Sequence, residues 1–339
     1  MMKSNVVSSL KKLGAAVSLF LATFSIGYSQ MDYQKVVDEA FAKFKDLKEG
    51  ANADYIPELA KVDPNIYGIA LVTVDGKIYT AGDLKSEVSI QSISKVFTMA
   101  QVIEEQGSQA IEDKIGVDAT GMRFNSIVAV ELQKGKEINP LVNPGAIAAT
   151  SLIKGNTYKE KWDNILAVHE AFAGRELKVD VPVYESEAAT NQRNQAIAQL
   201  LLAYGRMYFD PAEATDIYTK QCAIGVNAKD LAVMASTLAN GGTNPITKTK
   251  VVSPSTVSHT LPVMATAGLY DDSGKWLYNV GLPGKSGVGG GVIAVCPGKF
   301  GIAVISPPLD AAGNSVKAQK TIEYVVNKLG ANPYSIQPK

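Results

Sequence analysis

Histidine is nearly missing from this chain. Of 339 residues only His169 and His259 carry an imidazole, so a three-histidine zinc centre is excluded, and no H-E-x-x-H stretch occurs. Cysteine is equally scarce. Cys222 and Cys296 form no close-spaced metal-binding pair, and a disulfide between them requires that they meet in space. Neither sign of charge dominates: with 33 acidic and 33 basic residues, and no long basic run after the first dozen positions, nucleic acid is not expected as a partner. The G-x-S-x-G elbow of the α/β-hydrolases is absent. A phosphate-binding loop ending at Lys285-Ser286 fails as well, because Asn279 stands where the first glycine is needed. After residue 30 no apolar run is long enough to cross a bilayer.

What is present is an apolar fraction of 46%, enough to build a sizeable core in a chain of this length. Residues 1–29 read as a signal peptide. Lys3, Lys11 and Lys12 supply positive charge, residues 13–26 an apolar stretch, and Gly27-Tyr28-Ser29 a small-x-small cleavage site before Gln30. The mature protein is therefore expected to be exported, periplasmic or secreted, with no stable membrane insertion after processing.

Residues 30–339 read as a single domain. A helical pattern over 32–48 leads to two strands, 66–74 and 77–80, joined at the hairpin dipeptide Asp75-Gly76. From about 110 to 260 the pattern is mostly helical. Strands return at 277–282, 291–295 and 300–306, and an amphipathic helix over 316–329 follows. The expected fold is α+β: one five-stranded antiparallel sheet covered by terminal helices, plus an inserted all-helical lobe, with the active site in the cleft between them. The sheet lobe takes about 30–91 and 271–339, the helical lobe about 92–270.

Two short motifs carry the chemistry. Ser92 and Lys95 form S-x-x-K at the front of a helical stripe, Ile93, Val96, Phe97, Ala100 and Ile103, with Gly107 as its stop. Positions i and i+3 share a helix face, so hydroxyl and amine are neighbours, and a desolvated lysine can act as base near neutral pH. Taken alone, the pair reads as an ordinary Ser N-cap and a snorkelling Lys. Lys285-Ser286-Gly287, inside the glycine-rich 281–291 stretch, reverses that reading. K-[ST]-G at the end of an edge strand is the companion that serine acyl-enzymes of this class require, and backbone N–H groups there and at Ser92 could form an oxyanion hole. The S-x-N or Y-x-N triplet of β-lactam-processing enzymes is absent. Glu187 and Asn194, seven apart, are expected on one face of a single helix, where a carboxylate and an amide suit the ammonium and carboxylate of a free amino acid. A solvated first turn is the alternative.

From about residue 52 to 316 the chain resembles the serine-dependent glutaminases of the β-lactamase/transpeptidase-like superfamily. The resemblance rests on Ala53-Asp54-Tyr55-Ile56-Pro57-Glu58-Leu59-Ala60, Gln91-Ser92-Ile93-Ser94-Lys95, Asn139-Pro140-Leu141-Val142-Asn143, Ser186-Glu187 with Arg193-Asn194, and Leu238-Ala239-Asn240-Gly241-Gly242. Gly268-Leu269-Tyr270-Asp271, the 281–290 stretch, and Ser306-Pro307-Pro308-Leu309-Asp310 with Gly313-Asn314-Ser315-Val316 complete it. It implies Ser92 as nucleophile, Lys95 as its activating partner and Tyr270 as a catalytic tyrosine. It also implies Tyr55, Ser92, Asn143, Glu187, Asn194, Tyr218, Tyr270 and the backbone of Val288 as the lining of an L-glutamine site. No metal or organic cofactor is implied, and a homodimer or homotetramer is. Pro144 departs from the alanine that commonly follows this asparagine. The expected reaction is glutamine to glutamate and ammonia through a serine acyl-enzyme. The competing readings are a periplasmic serine acyltransferase or hydrolase acting on peptidoglycan or β-lactams, and a non-catalytic solute-binding or sensor module.

Overall fold

The computed structural model describes residues 32–134, 138–336 and 338. Two units are distinguished, Met1–Asp32 and Tyr33–Lys339, and the second carries every element described below. The expected signal peptide lies outside the described residues.

Three strands, apolar but for Thr73, make the centre of the sheet: β1 (Gly68–Thr73), β6 (Gly291–Cys296) and β7 (Phe300–Ile305), each buried along its whole length. A strand buried on both faces reads as a continuous apolar run, and alternate residues here serve two different cores. Ile69, Leu71, Val292, Ala294, Ile302 and Val304 face one cluster, with the helices Tyr33–Phe44 and Val316–Lys328. Ala70, Val72, Ile293, Val295, Ala303 and Ile305 face the other, with the helix Ala228–Ala239. Gly301 lets that helix come close, since a Cβ there would sit 2.2 Å from the Ser236 backbone nitrogen.

The sheet is five-stranded and antiparallel throughout, in the order β2-β1-β7-β6-β5, with β2 at Ile78–Gly82 and β5 at Gly284–Ser286. β1 and β2 form the expected hairpin, Gly76 taking φ +91° in its turn. One strand was expected in the wrong place. Residues 277–282 are not a strand but fall largely in the helix Ser273–Val280, because Ser273, Trp276 and Val280 are buried at helical spacing while Tyr278 is 88% exposed. Gly281 caps the helix at φ +74°, and the fifth strand is the three-residue β5 just beyond it.

The inserted segment is helical apart from β4 (Gly225–Val226), which pairs with β3 (Val88–Ser89) immediately before the S-x-x-K motif. Among the described residues no helix is long and apolar enough to cross a membrane.

Candidate active site

Ser92 lies in a 3₁₀ turn, Gln91–Ile93, that runs into the helix Ser94–Gln106, stopped by Gly107 at φ +85°. Ser92 is not an N-cap: the side chain that closes this start is Ser94 Oγ, donating to the Gln91 carbonyl at 2.7 Å. Gln91 itself holds φ +49°, a conformation rare outside glycine, and Tyr270 holds φ +52°. Strained backbone of this kind costs about 1–3 kcal/mol and persists where packing over-determines it, which is common at functional sites.

Lys95 does not snorkel. It is 1% exposed, and its Nζ donates to Asn143 Oδ1 at 2.6 Å. Burial disfavours the charged amine and lowers its pKa to about 8. Asn143 is the junction of the site, because its Oδ1 also accepts from the Tyr218 hydroxyl (3.1 Å) and its Nδ2 donates to Asn194 Oδ1 (3.0 Å). It opens the helix Asn143–Leu152, so Pro144 falls in the first turn, where an absent N–H costs no helical bond.

Glu187 and Asn194 do not share a helix. Glu187 belongs to Val181–Thr190 and Asn194 to Gln192–Ala203, with Asn191 as the break between them. The two side chains nevertheless reach one cavity. Glu187 is 8% exposed and accepts from Gln91 Nε2 at 3.3 Å. Burial raises its pKa to about 7, opposed by the Gln91 hydrogen bond and the charge of Lys95.

A cavity of about 210 Å³ is lined by Tyr55, Ser92, Asn143, Glu187, Asn194, Tyr218 and Val288, together with Gln91, Phe124, Asn191 and Arg193 among others. Every residue expected to line the substrate site except Tyr270 is in that lining. Tyr55 stands at its edge, 56% exposed. Tyr270 and Lys95 are not in that lining. The Tyr270 ring is 4.7 Å from that of Phe124, and its hydroxyl donates to the Ser286 carbonyl at 3.4 Å and also reaches Ser92. Burial pushes this phenol well above its ordinary pKa.

Lys285 and Ser286 end the edge strand β5, with Gly287 just beyond it, as expected of K-[ST]-G. Lys285 is fully buried, its Nζ 4.3 Å from the Tyr270 ring centre and donating to the Ser286 carbonyl at 2.7 Å; burial lowers its pKa strongly. Gly287 and Gly289 press on the strand leading to Ser92, where a Cβ would meet the Ile90 carbonyl oxygen at 2.7 Å and the Ser89 carbonyl oxygen at 2.3 Å.

Gln91, Phe124, Asn191, Arg193 and the Lys285 side chain were not singled out as site residues from the sequence. Gln91, Arg193 and Lys285 stood inside the recognised motifs, next to residues that were chosen. Nothing local marked Phe124, whose loop is fixed from a distance: Asn143 N donates to the Phe124 carbonyl at 2.7 Å and Arg193 Nε to that of Asn125 at 2.9 Å. Neither histidine belongs here. His169 is buried against Phe97 and bonded to the Ile165 carbonyl, and His259 is exposed. Cys222 and Cys296 are both free. Among the described residues no group of side chains could hold a metal ion.

The glutaminase family model matches residues 50–334. A glutaminase of Colwellia psychrerythraea is 56% identical over 299 residues, 88% of this chain and 96% of that one. The solved structure of a probable glutaminase, ybaS, superposes with a TM-score of 0.88 at 48% identity, covering 90% of this chain and 98% of the other. A probable glutaminase from Bacillus subtilis, solved in complex with 6-diazo-5-oxo-L-norleucine, gives a TM-score of 0.79 at 28% identity over 89% of this chain and 96% of its own.

Proposed function

The chain belongs to the glutaminase family, and on that footing we propose that it hydrolyses L-glutamine to glutamate and ammonia through a serine ester. The observation that carries this reading is one cavity with Ser92 on its wall, a buried amine of lowered pKa one helical step behind it, and a single buried carboxylate, Glu187, in the same lining. The ligand of the Bacillus relative is itself an L-amino acid whose diazoketone stands where glutamine has its carboxamide.

Ser92 Oγ attacks the carboxamide carbon while its proton moves to neutral Lys95, with the neutral Tyr270 hydroxyl, which reaches Ser92, assisting by hydrogen bonding. A neutral lysine can take that proton, and a pKa of about 8 leaves a usable neutral fraction near physiological pH. Backbone N–H groups of Ser92 and Val288 hold the oxyanion. The C–N bond breaks as the proton is returned to the leaving nitrogen, which departs as ammonia. Water then attacks the γ-glutamyl ester, its proton returns to Ser92 Oγ, and glutamate is released. Glu187 holds the substrate ammonium, while Asn143, Asn194, Tyr218 and Tyr55 surround the rest of the head group.

Ser92→Ala should abolish ammonia release from glutamine and leave the protein folded and able to bind substrate. Near-normal turnover by a folded Ser92→Ala protein overturns the mechanism. Export follows from the lysine-rich start and its apolar run: protein sequenced from the native host should begin near Gln30, and an intact Met1 on soluble cytosolic protein contradicts it. The protein is further proposed to act as a homodimer or homotetramer, which light scattering at micromolar concentration decides.

A further inference from the structure

The helix that carries Glu187, Val181–Thr190, is joined to the helix that carries Tyr218, Pro211–Cys222, by two polar links. Three residues before Glu187, the Tyr184 hydroxyl donates to Asp216 Oδ1 at 2.7 Å. The other oxygen of Asp216 accepts from the Tyr158 hydroxyl at 2.6 Å, so the carboxylate is held from two sides. Four residues after Glu187, at the break between helices, Asn191 Nδ2 donates to Thr219 Oγ1 at 3.0 Å, with both residues buried. Residues three and four apart on a helix project on one side, so the Tyr184 link lies on the flank from which Glu187 reaches the cavity. Asp216 and Thr219 in turn bracket Tyr218, whose hydroxyl is bonded to Asn143. Tyr184 does not line the cavity. It acts on the carboxylate only through the backbone between them.

We propose that Tyr184, through Asp216, is a positioning residue that fixes the distance from the Glu187 carboxylate to Ser92, and thereby the side-chain length of the amino-acid amide this enzyme accepts. The proposal rests on Glu187 holding the substrate ammonium. Glutamine and asparagine differ by one methylene between ammonium and amide. A carboxylate held in place presents only the longer amide to Ser92, whereas a helix free to shift loses that discrimination.

Tyr184→Phe removes the hydroxyl and keeps the ring that packs against the apolar cluster containing Ala53, Ile56 and Leu59. Glutamine, asparagine and glutaramate, the last lacking the α-amine, are compared on the wild type, Tyr184→Phe, Asp216→Asn and Glu187→Gln. The expected result for Tyr184→Phe is a rise of about three- to tenfold in KM for glutamine, with kcat within about twofold, glutaramate unchanged and the preference for glutamine over asparagine narrowed. Asp216→Asn should move the same quantities in the same direction. Where glutaramate turns over too slowly to follow, competitive inhibition by glutamate and by glutarate makes the same comparison. Equal losses on glutamine and glutaramate, or an unchanged glutamine-to-asparagine ratio, overturn the proposal. Glu187→Gln separates the two levels of the argument. If it fails to distinguish glutamine from glutaramate, the ammonium assignment falls and the proposal with it; if it distinguishes them and Tyr184→Phe does not, the positioning role alone is wrong.

Discussion

A buried carboxylate hydrogen-bonded by a neutral amide is poorly compensated, and Glu187 has Gln91 as such a partner. Burial therefore raises its pKa to about 7, and an arriving ammonium would draw it back toward the ionised form. Truncating one member of a desolvated charge pair costs about 2–5 kcal/mol. Glu187→Gln is accordingly expected to lower kcat/KM for glutamine at least about tenfold, with each 1.4 kcal/mol worth a factor of ten, and to lower that for glutaramate much less. Lys95 sets a second limb of the pH profile. Its pKa is lowered to about 8 by burial, so protonation below that value removes the lone pair that accepts the Ser92 proton. Log kcat/KM should rise with slope one between about pH 7 and 8 and approach slope two below about 7, where Glu187 is also neutralised. A pH–rate series checks this, and a profile flat from pH 6 to 8 would contradict both assignments. Lys95 was marked in the sequence by its S-x-x-K spacing, whereas Glu187 was marked by the family resemblance, since the single helix drawn from it to Asn194 is broken at Asn191. Phe124 was not, because what fixes it is a carbonyl contact to Asn143 and a ring contact to Tyr270, neither of which leaves a local pattern.

At the scale of elements, the strands with continuous apolar runs and the long amphipathic helices could be read from period alone, since burial on two faces or one dictates residue type directly. The failures came where an element is short or broken. Residues 277–282 carry enough apolar and aromatic residues to suggest a strand, yet Trp276 and Val280 repeat at helical spacing and Gly281 stops the turn. The segment from 185 to 194 looked continuous, but Thr190-Asn191 ends one helix and starts another. Glu187 and Asn194 still converge, because Asn143 and Thr219 tie the second helix to its neighbours. The contact between the glycine-rich turn and the segment leading into Ser92 makes a sharper test. Gly287→Ala would drive a methyl to 2.7 Å from the Ile90 carbonyl oxygen, with Gln91 Cβ at 3.3 Å. Overpacking of this kind costs about 1–3 kcal/mol of stability. Because the displaced segment, Ile90-Gln91, leads directly into the turn that carries Ser92, kcat should fall by about tenfold or more while the melting temperature drops only a few degrees. Unaltered kcat in Gly287→Ala would show that this contact does not position the nucleophile.

For the molecule as a whole, cohesion comes from two cores divided by one sheet rather than from covalent links. Cys222 and Cys296 are buried and unpaired, and burial holds the Cys222 thiol up at about 12, where thiolate is scarce. Reductant should leave the melting temperature and activity unchanged, and a thiol reagent should modify neither cysteine until denaturant is added. A melting temperature that falls with reductant would overturn this. A five-stranded antiparallel sheet accompanied by many helices was foreseeable from the order of strand and helix patterns, whereas the closeness of Gly301 to the Ala228–Ala239 helix was visible only in three dimensions. The central pairing of the sheet joins β1 to β7, with Thr73 opposite Phe300 at the nearest point. During synthesis the β1–β2 hairpin must therefore wait, one edge bare, until almost the whole polypeptide has left the ribosome. Pairings so distant along the chain make folding slow and leave the unpaired edge exposed to other chains. A fragment that ends before β7 lacks the strand joining β1 to β6, so a truncated product of aborted translation would be catalytically silent and prone to clump.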